Sequence, residues 1–145
     1  MKIGFTSTRL GMTPAQLRAF QMTVCDIDTH DLLIHQFHHG DCVGGDKQAH
    51  DFMQVVRKVE IHIHPPIDPK HRAWCHADVL YDPRKYHTRN RAIMHRADVA
   101  IGCPDTVEYR PGSGTWGTIM YARRLKKPLA LILPTGEVKW ERRET

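Results

Sequence analysis

No apolar run in this chain approaches the roughly 20 residues needed to span a bilayer. The opening residues, Met1-Lys2-Ile3-Gly4-Phe5-Thr6, run straight into a strand-like segment and lack the long apolar core and small-residue cleavage site of a signal peptide, so a cytoplasmic location is expected. The four cysteines, Cys25, Cys42, Cys75 and Cys103, include no C-x-x-C pair, which removes the common structural-zinc and dithiol-redox spacings and leaves free thiols as the expected state. There is no internal repeat and no linker. With 41% hydrophobic and 26% charged residues over 145 positions, disorder is excluded and one domain is expected over 1–145, with a polar tail from 136. Two further absences bear on chemistry. No glycine loop is followed by Gly-Lys-Ser/Thr, so ATP hydrolysis of the Walker type is excluded. No carboxylate lies anywhere between Glu108 and Glu137.

What is present is organised around Arg110-Pro111-Gly112-Ser113-Gly114-Thr115-Trp116-Gly117-Thr118, which follows the apolar run Val99-Ala100-Ile101 and precedes a helical segment, Thr118 to Arg124. A glycine-rich turn between a strand and a helix N-terminus brings backbone N–H groups and the helix dipole to bear on an anion. A second such segment is His39-Gly40-Asp41-Cys42-Val43-Gly44-Gly45-Asp46.

In chain order, Lys2 to Thr6 reads as a buried strand ending at Thr6-Ser7-Thr8-Arg9. Thr13-Pro14 with Gln16 has the spacing of a capping box, opening a helix to about Asp28 with Leu17, Phe20 and Val24 inward. Asp31 to His38 reads as a second strand, with Leu32-Leu33-Ile34 as its apolar part. Asp46 is the expected N-cap of a helix running to about Lys58. Val59 to His64 reads as a third strand, with Ile61 and Ile63 on one face and His62 and His64 on the other. Ile67 to Tyr86 has no clear periodicity and reads as a binding wall or lid, or as a loop with a short helix around His71 to Val79. A helix over Thr88 to Arg96, a strand over Asp98 to Cys103 and a strand over Pro128 to Leu133 follow, with Val138 and Trp140 as a possible short edge strand. Alternating strands and helices imply an α/β domain of three layers with a mostly parallel sheet of about five strands. Ligands bind such sheets outside the carboxyl ends of the strands, where both glycine segments, the Thr6 to Arg9 turn and the Pro65-Pro66 turn all fall.

Taken together, Gly4-Phe5-Thr6-Ser7-Thr8, the 39–46 segment, Arg89-Asn90-Arg91 and Gly112-Ser113-Gly114-Thr115-Trp116 make the chain resemble the SLOG superfamily over nearly its whole length. These are Rossmann-like nucleotide-binding proteins that include the lonely-guy phosphoribohydrolases and DprA-like proteins. The resemblance implies a single Rossmann-like domain that binds a nucleotide or a related ligand. Lonely-guy enzymes carry Pro-Gly-Gly-x-Gly-Thr followed by paired glutamates. Here Pro111-Gly112-Ser113-Gly114-Thr115 is one glycine shorter, and Trp116-Gly117 stands where the acidic pair should begin. The phosphate-cradling half of the pattern is present and the catalytic acid is missing.

The candidate ligand-binding set is therefore Thr6, Ser7, Thr8 and Arg9; Gly40, Asp41, Cys42, Gly44 and Gly45; Arg89, Asn90 and Arg91; and Arg110, Gly112, Ser113, Gly114, Thr115 and Trp116. Each has a plain structural alternative. The hydroxyls at 6–8 can simply turn the chain, the glycines can serve a tight turn and helix cap, and the arginines can form surface ion pairs. Asp41 could receive ribose hydroxyls, and Asp41 or Asp46 is the carboxylate available to an enzyme acting on an N-glycosidic or phosphate bond. Cys42 lies near a helix N-terminus, which would lower its pKa, with His38 or His39 as its local base. Trp74 and Trp116 are candidates for stacking on a base, with Trp116 alternatively in the core. Among eleven histidines, His62-x-His64 with Cys75-His76 is the only suggestion of metal ligands, and the spacing is not that of a zinc site, so no metal and no required cofactor are expected. The net charge of +5 comes largely from Arg123, Arg124, Lys126, Lys127, Lys139, Arg142 and Arg143, which would suit DNA but equally a solvated face. The expectation is a binding module, a sensor or sequestering protein for a small anionic ligand, with a homo-oligomer possible. An N-glycosidic hydrolase and a DNA-binding accessory protein are the alternatives.

Overall fold

A computed structural model of the chain describes residues 1–31, 33–56 and 58–143. The elements in order are β1 (Lys2–Ser7), α1 (Pro14–Asp26), a π-helical turn (Ile27–Asp31), β2 (Gln36–His39), α2 (Gly45–Val56), β3 (Glu60–Ile63), a 3-10 turn (Pro69–His71), β4 (Val79–Leu80), α3 (Tyr86–Arg96), β5 (Val99–Cys103), α4 (Gly114–Arg124), β6 (Leu129–Ile132) and β7 (Val138–Glu141). The strands form one sheet of seven in the order β4-β3-β2-β1-β5-β6-β7. All neighbours are parallel except β6 and β7. The expected α/β architecture is thus observed, with two small edge strands, β4 and β7, added to the five.

The two faces of the sheet bury different side chains. Ile3, Phe5, Phe37, Ile61, Ile63, Val99 and Ile101 pack beneath α1 and α2, with Phe20, Val24, Ala49 and Met53 supplied by those helices. Ala100, Leu129 and Leu131 pack beneath α3 and α4, against Ile93, Met94, Trp116, Ile119 and Ala122. Small residues bring this second helix pair close. A Cβ on Gly4 would lie 2.8 Å from the Ala97 Cβ, and one on Gly102 would lie 2.6 Å from the Ile119 side chain.

The capping box at α1 is present in both directions. It also ties the helix to the sheet. Thr13 Oγ1 donates to the Pro134 carbonyl at 2.6 Å, and the buried Gln16 amide donates to the carbonyls of Pro104 and Ile132, each at 2.8 Å. Several boundaries differ from expectation. β2 begins at Gln36, because the chain leaves α1 through a π-helical turn and the Ile34 amide is taken by the Asp28 carboxylate at 2.8 Å; Leu32 lies outside the described residues. α2 begins at Gly45, so Asp46 sits inside its first turn and is not the N-cap. α3 begins at Tyr86, two residues early. The segment 67–86 holds a 3-10 turn and β4 in place of a helix around 71–79.

Candidate functional site

The two glycine segments, alike in sequence, have different surroundings. A Cβ on Gly40 would meet Arg89 Nη1 at 2.4 Å; one on Gly44 would meet the Arg9 carbonyl oxygen at 2.3 Å; one on Gly45 would meet Ser7 Oγ at 2.1 Å. These glycines let the Ser7–Arg9 turn, the 40–45 loop and Arg89 interlock. The Gly45 amide donates to the Thr8 carbonyl at 2.9 Å, and Ser7 Oγ donates to the Cys103 carbonyl at 3.0 Å. Around Gly112, Gly114 and Gly117 a Cβ would meet nothing within 4 Å. Internal packing explains the first set; Gly112 is favoured as glycine by its backbone angle, φ 81°, and only Gly114 and Gly117 are left unexplained.

The open glycines border a cleft of about 360 Å³ that runs between α3 and α4. Of the residues nominated from the sequence, Asn90, Arg91, Gly112, Ser113 and Gly114 line it, and none of 6–9 or 40–45 does; Tyr86, His87, Gly117, Thr118, Met120, Tyr121 and Arg124 complete the lining. α4 begins at Gly114, so the glycine motif is less a loop than the first turn of the helix. Ser113 caps it, its Oγ accepting the Trp116 amide at 3.2 Å. The Gly114 and Thr115 amides stand in the first turn, where no intrahelical acceptor exists. Arg91 and Arg124 flank Tyr121, with guanidinium carbons 4.9 and 5.9 Å from its ring centre.

The remaining expected site residues lie elsewhere. Trp116 is in the core, its Nε1–H donated to Thr106 Oγ1 at 2.8 Å, so the core alternative holds for it. Thr115 Oγ1 donates to the Ser7 carbonyl at 2.8 Å, which locks α4 to β1. Arg110 pairs with Asp105 at 3.1 Å. Thr6 is buried within β1, and Arg9 is exposed beyond it. Asp41 is fully buried with both carboxylate oxygens engaged, one by Arg72 Nε and the other by the Cys75 amide, each at 2.9 Å. It holds the 72–75 segment onto the 40–45 loop at a left-handed backbone angle, φ 58°. The exposed Trp74 in that segment shares this conformation (φ 58°) and carries the Arg72 guanidinium 4.0 Å above its ring.

Asp46 is buried and accepts the Cys42 amide at 3.1 Å. Burial pushes its carboxyl up to about 6, against the pull of Arg89. The Cys42 thiol is raised, by burial first and by Asp46 next, not lowered as its place before a helix implies; Arg89 Nη2 sits 3.6 Å from its sulfur. A nucleophilic thiolate is therefore disfavoured here. Neither Asp41 nor Asp46 lines the α3–α4 cleft.

Five of the eleven histidines form two groups. His38, His62 and His64 stand on one face of β2 and β3 with Tyr81. His38 and His62 stack at 4.3 Å, and His64 and Tyr81 at 4.0 Å. On the other face His39 Nε2 lies 3.0 Å from His50 Nδ1, with Cys75 close enough to complete a three-ligand group. The Asp41 amide donates to His39 Nδ1 at 2.9 Å, which puts the ring proton on Nε2, directed at His50. That nitrogen is a hydrogen-bond donor in this arrangement. The His62, His64 and Cys75-His76 combination is not assembled, since the imidazoles and Cys75 lie on opposite faces.

The fold is shared with solved structures. A molybdenum cofactor binding protein from the phototrophic bacterium Rippkaea orientalis superposes with a TM-score of 0.66 at 20% identity, over 92% of this chain and 77% of that one. The protein TM1055 superposes with a TM-score of 0.60 at 14% identity, over 91% and 74%. Both have Rossmann-type folds. No protein-family model matches the chain, and no curated protein matches it. No helix among the described residues is long and apolar enough to cross a membrane.

Proposed function

We propose that this chain is a Rossmann-like binding module of the SLOG type, which holds a nucleotide or nucleotide-derived ligand in the α3–α4 cleft. The observation that carries this reading is the contrast between glycines. Those at 40, 44 and 45 are required by neighbouring atoms, whereas those at 114 and 117 have no such neighbour and face open space along one cleft. Its volume of about 360 Å³ falls inside the ~300–1,000 Å³ usual for small-molecule sites. Phosphate oxygens would meet the Gly114 amide and the positive end of α4, with Arg91 and Arg124 as further positive charges along the cleft. Tyr86, His87 and Tyr121 supply flat surfaces for a base or ribose. The ligand's charge is the partner chemistry implied, and a resident cofactor is not required. The cleft has no carboxylate in its lining, so an N-glycosidic hydrolase would have to obtain its acid from outside it.

The test is a thermal-shift screen against nucleoside mono-, di- and triphosphates, ADP-ribose, cyclic dinucleotides and sugar phosphates, with Gly114→Asp beside the parent. A Cβ at Gly114 has nothing within 4 Å and an aspartate at the first helical position is favoured by the helix dipole, so the variant keeps the parent's unliganded Tm. Its carboxylate repels phosphate, and the ligand-induced Tm rise is lost. A ligand that stabilises both proteins equally overturns the reading.

A further inference from the structure

We propose that a second cleft, on the opposite flank of α3, binds a small dianionic oxyanion of the phosphate class. It is lined by His64, Tyr81, Asp82, Arg84, Thr88, Arg89, Ala92 and Arg96, and measures about 160 Å³. That is well below the range of drug-sized sites, yet several times the ~30 Å³ that one water occupies. The space admits a phosphate or sulfate and not a nucleoside.

Three guanidiniums converge there. None of Arg84, Arg89 and Arg96 has a carboxylate ion-pair partner among the described residues, although the exposed Asp82 stands at the rim. Counting Asp82, the lining carries a net charge of two positive. Arg96 lies over the Tyr81 ring at 4.5 Å. Arg89 is 4% exposed, and its Nη1 donates to the carbonyls of Gly40 at 2.6 Å and His64 at 3.2 Å. Its Nε–H is the one buried side-chain polar atom without a partner among the described residues. A buried guanidinium with an orphan donor is costly unless an anion completes it. His64 adds no charge, since burial first, and then the field of Arg96, His62, Arg89 and Arg84, keeps its imidazole neutral down to about 3. Thr88 adds a hydroxyl donor, while the Tyr81 hydroxyl is taken up by His62 Nδ1 at 2.8 Å; three guanidiniums and a hydroxyl suit the several oxygens of a phosphate.

This inference does not depend on the nucleotide reading, and the experiment separates the two. Inorganic phosphate and glycerol 3-phosphate are titrated at low ionic strength, followed by ³¹P NMR line broadening, into the parent, the double variant Arg84→Gln/Arg96→Gln and Arg91→Gln. Arg84 and Arg96 are exposed, so the double variant folds with an unfolding midpoint close to the parent's. The expected result is phosphate binding weakened about tenfold or more in the double variant and retained in Arg91→Gln. Nucleotide-induced stabilisation is kept in the double variant and reduced in Arg91→Gln. Binding of the inorganic ion alone supports a free-ion site; equal binding of both probes supports a site for a terminal phosphate group. No binding by the parent, or binding lost only in Arg91→Gln, overturns the proposal.

Discussion

Gly44 and Gly117 are the same residue type doing opposite things. Gly44 has φ 86° and backbone within 2.3 Å of where a Cβ would stand, so Gly44→Ala combines left-handed strain with a clash that no rotamer relieves. We expect it to cost at least about 2 kcal/mol of unfolding free energy. Gly117 lies inside α4 in open space, so Gly117→Ala should gain about 0.5–1 kcal/mol and narrow the cleft. Urea unfolding of both variants decides the matter. Equal destabilisation would mean that the open space around Gly117 is needed for the fold itself and would remove the argument for a ligand there.

At the scale of elements, β2 and β3 carry a pH response. Burial, then the neighbouring imidazole His62, pushes His38 down to about 3; His64 reaches about 3 through burial and then Arg96; His39 is lowered well below its usual value by burial and His50. The folded pKa of each lies below the unfolded value near 6.5, so the unfolded chain takes up protons first. The stability is full above pH 6.5 and is lost as pH falls towards 3, by about 1.4 kcal/mol per unit for each imidazole. Asp46 acts the other way. Its folded value of about 6 exceeds the ordinary 3.8, so acidification through that interval relieves a buried charge at the same slope. His50, also lowered by burial, adds in the same direction, and these three imidazoles against the one carboxyl already give a net loss near pH 5 on the order of 3 kcal/mol per unit. The urea midpoint is therefore expected to fall steadily from pH 6.5 to pH 5. A flat profile over that interval would refute the assignment.

At the scale of the whole molecule, the C-terminal segment belongs to the fold. β7 pairs antiparallel with β6 from Leu129↔Glu141 to Ile132↔Val138, Trp140 and Val138 pack against the core, and Arg123 binds Glu141 at 2.8 Å. Truncation after Gly136 removes these partly buried side chains and leaves β6 as an uncovered apolar edge. A loss of at least about 2 kcal/mol and a rise in light scattering are expected. A truncated chain with an unchanged Tm would show that β7 is dispensable.

The legible part of this protein was its periodic part. Alternation in β3, the capping box at Thr13 and the strand–helix order are local signals, and each survives in the structure because packing agrees with them. The cleft-lining turn that opens α4 was also readable as a distinct segment, through Gly112, Ser113 and Gly114. The sequence alone therefore determined the α/β architecture and named a candidate anion-binding turn. Only the tertiary structure separated the two glycine segments. A glycine codon does not say whether the missing side chain makes room for the protein's own backbone, as at Gly44 and Gly45, or borders an empty cleft, as at Gly114 and Gly117. Likewise Arg89 reads as one basic residue among many until the fold buries it with Nε–H unpaired and sets Arg84 and Arg96 beside it. Those facts depend on residues distant in the chain, which approach one another only when the sheet is assembled.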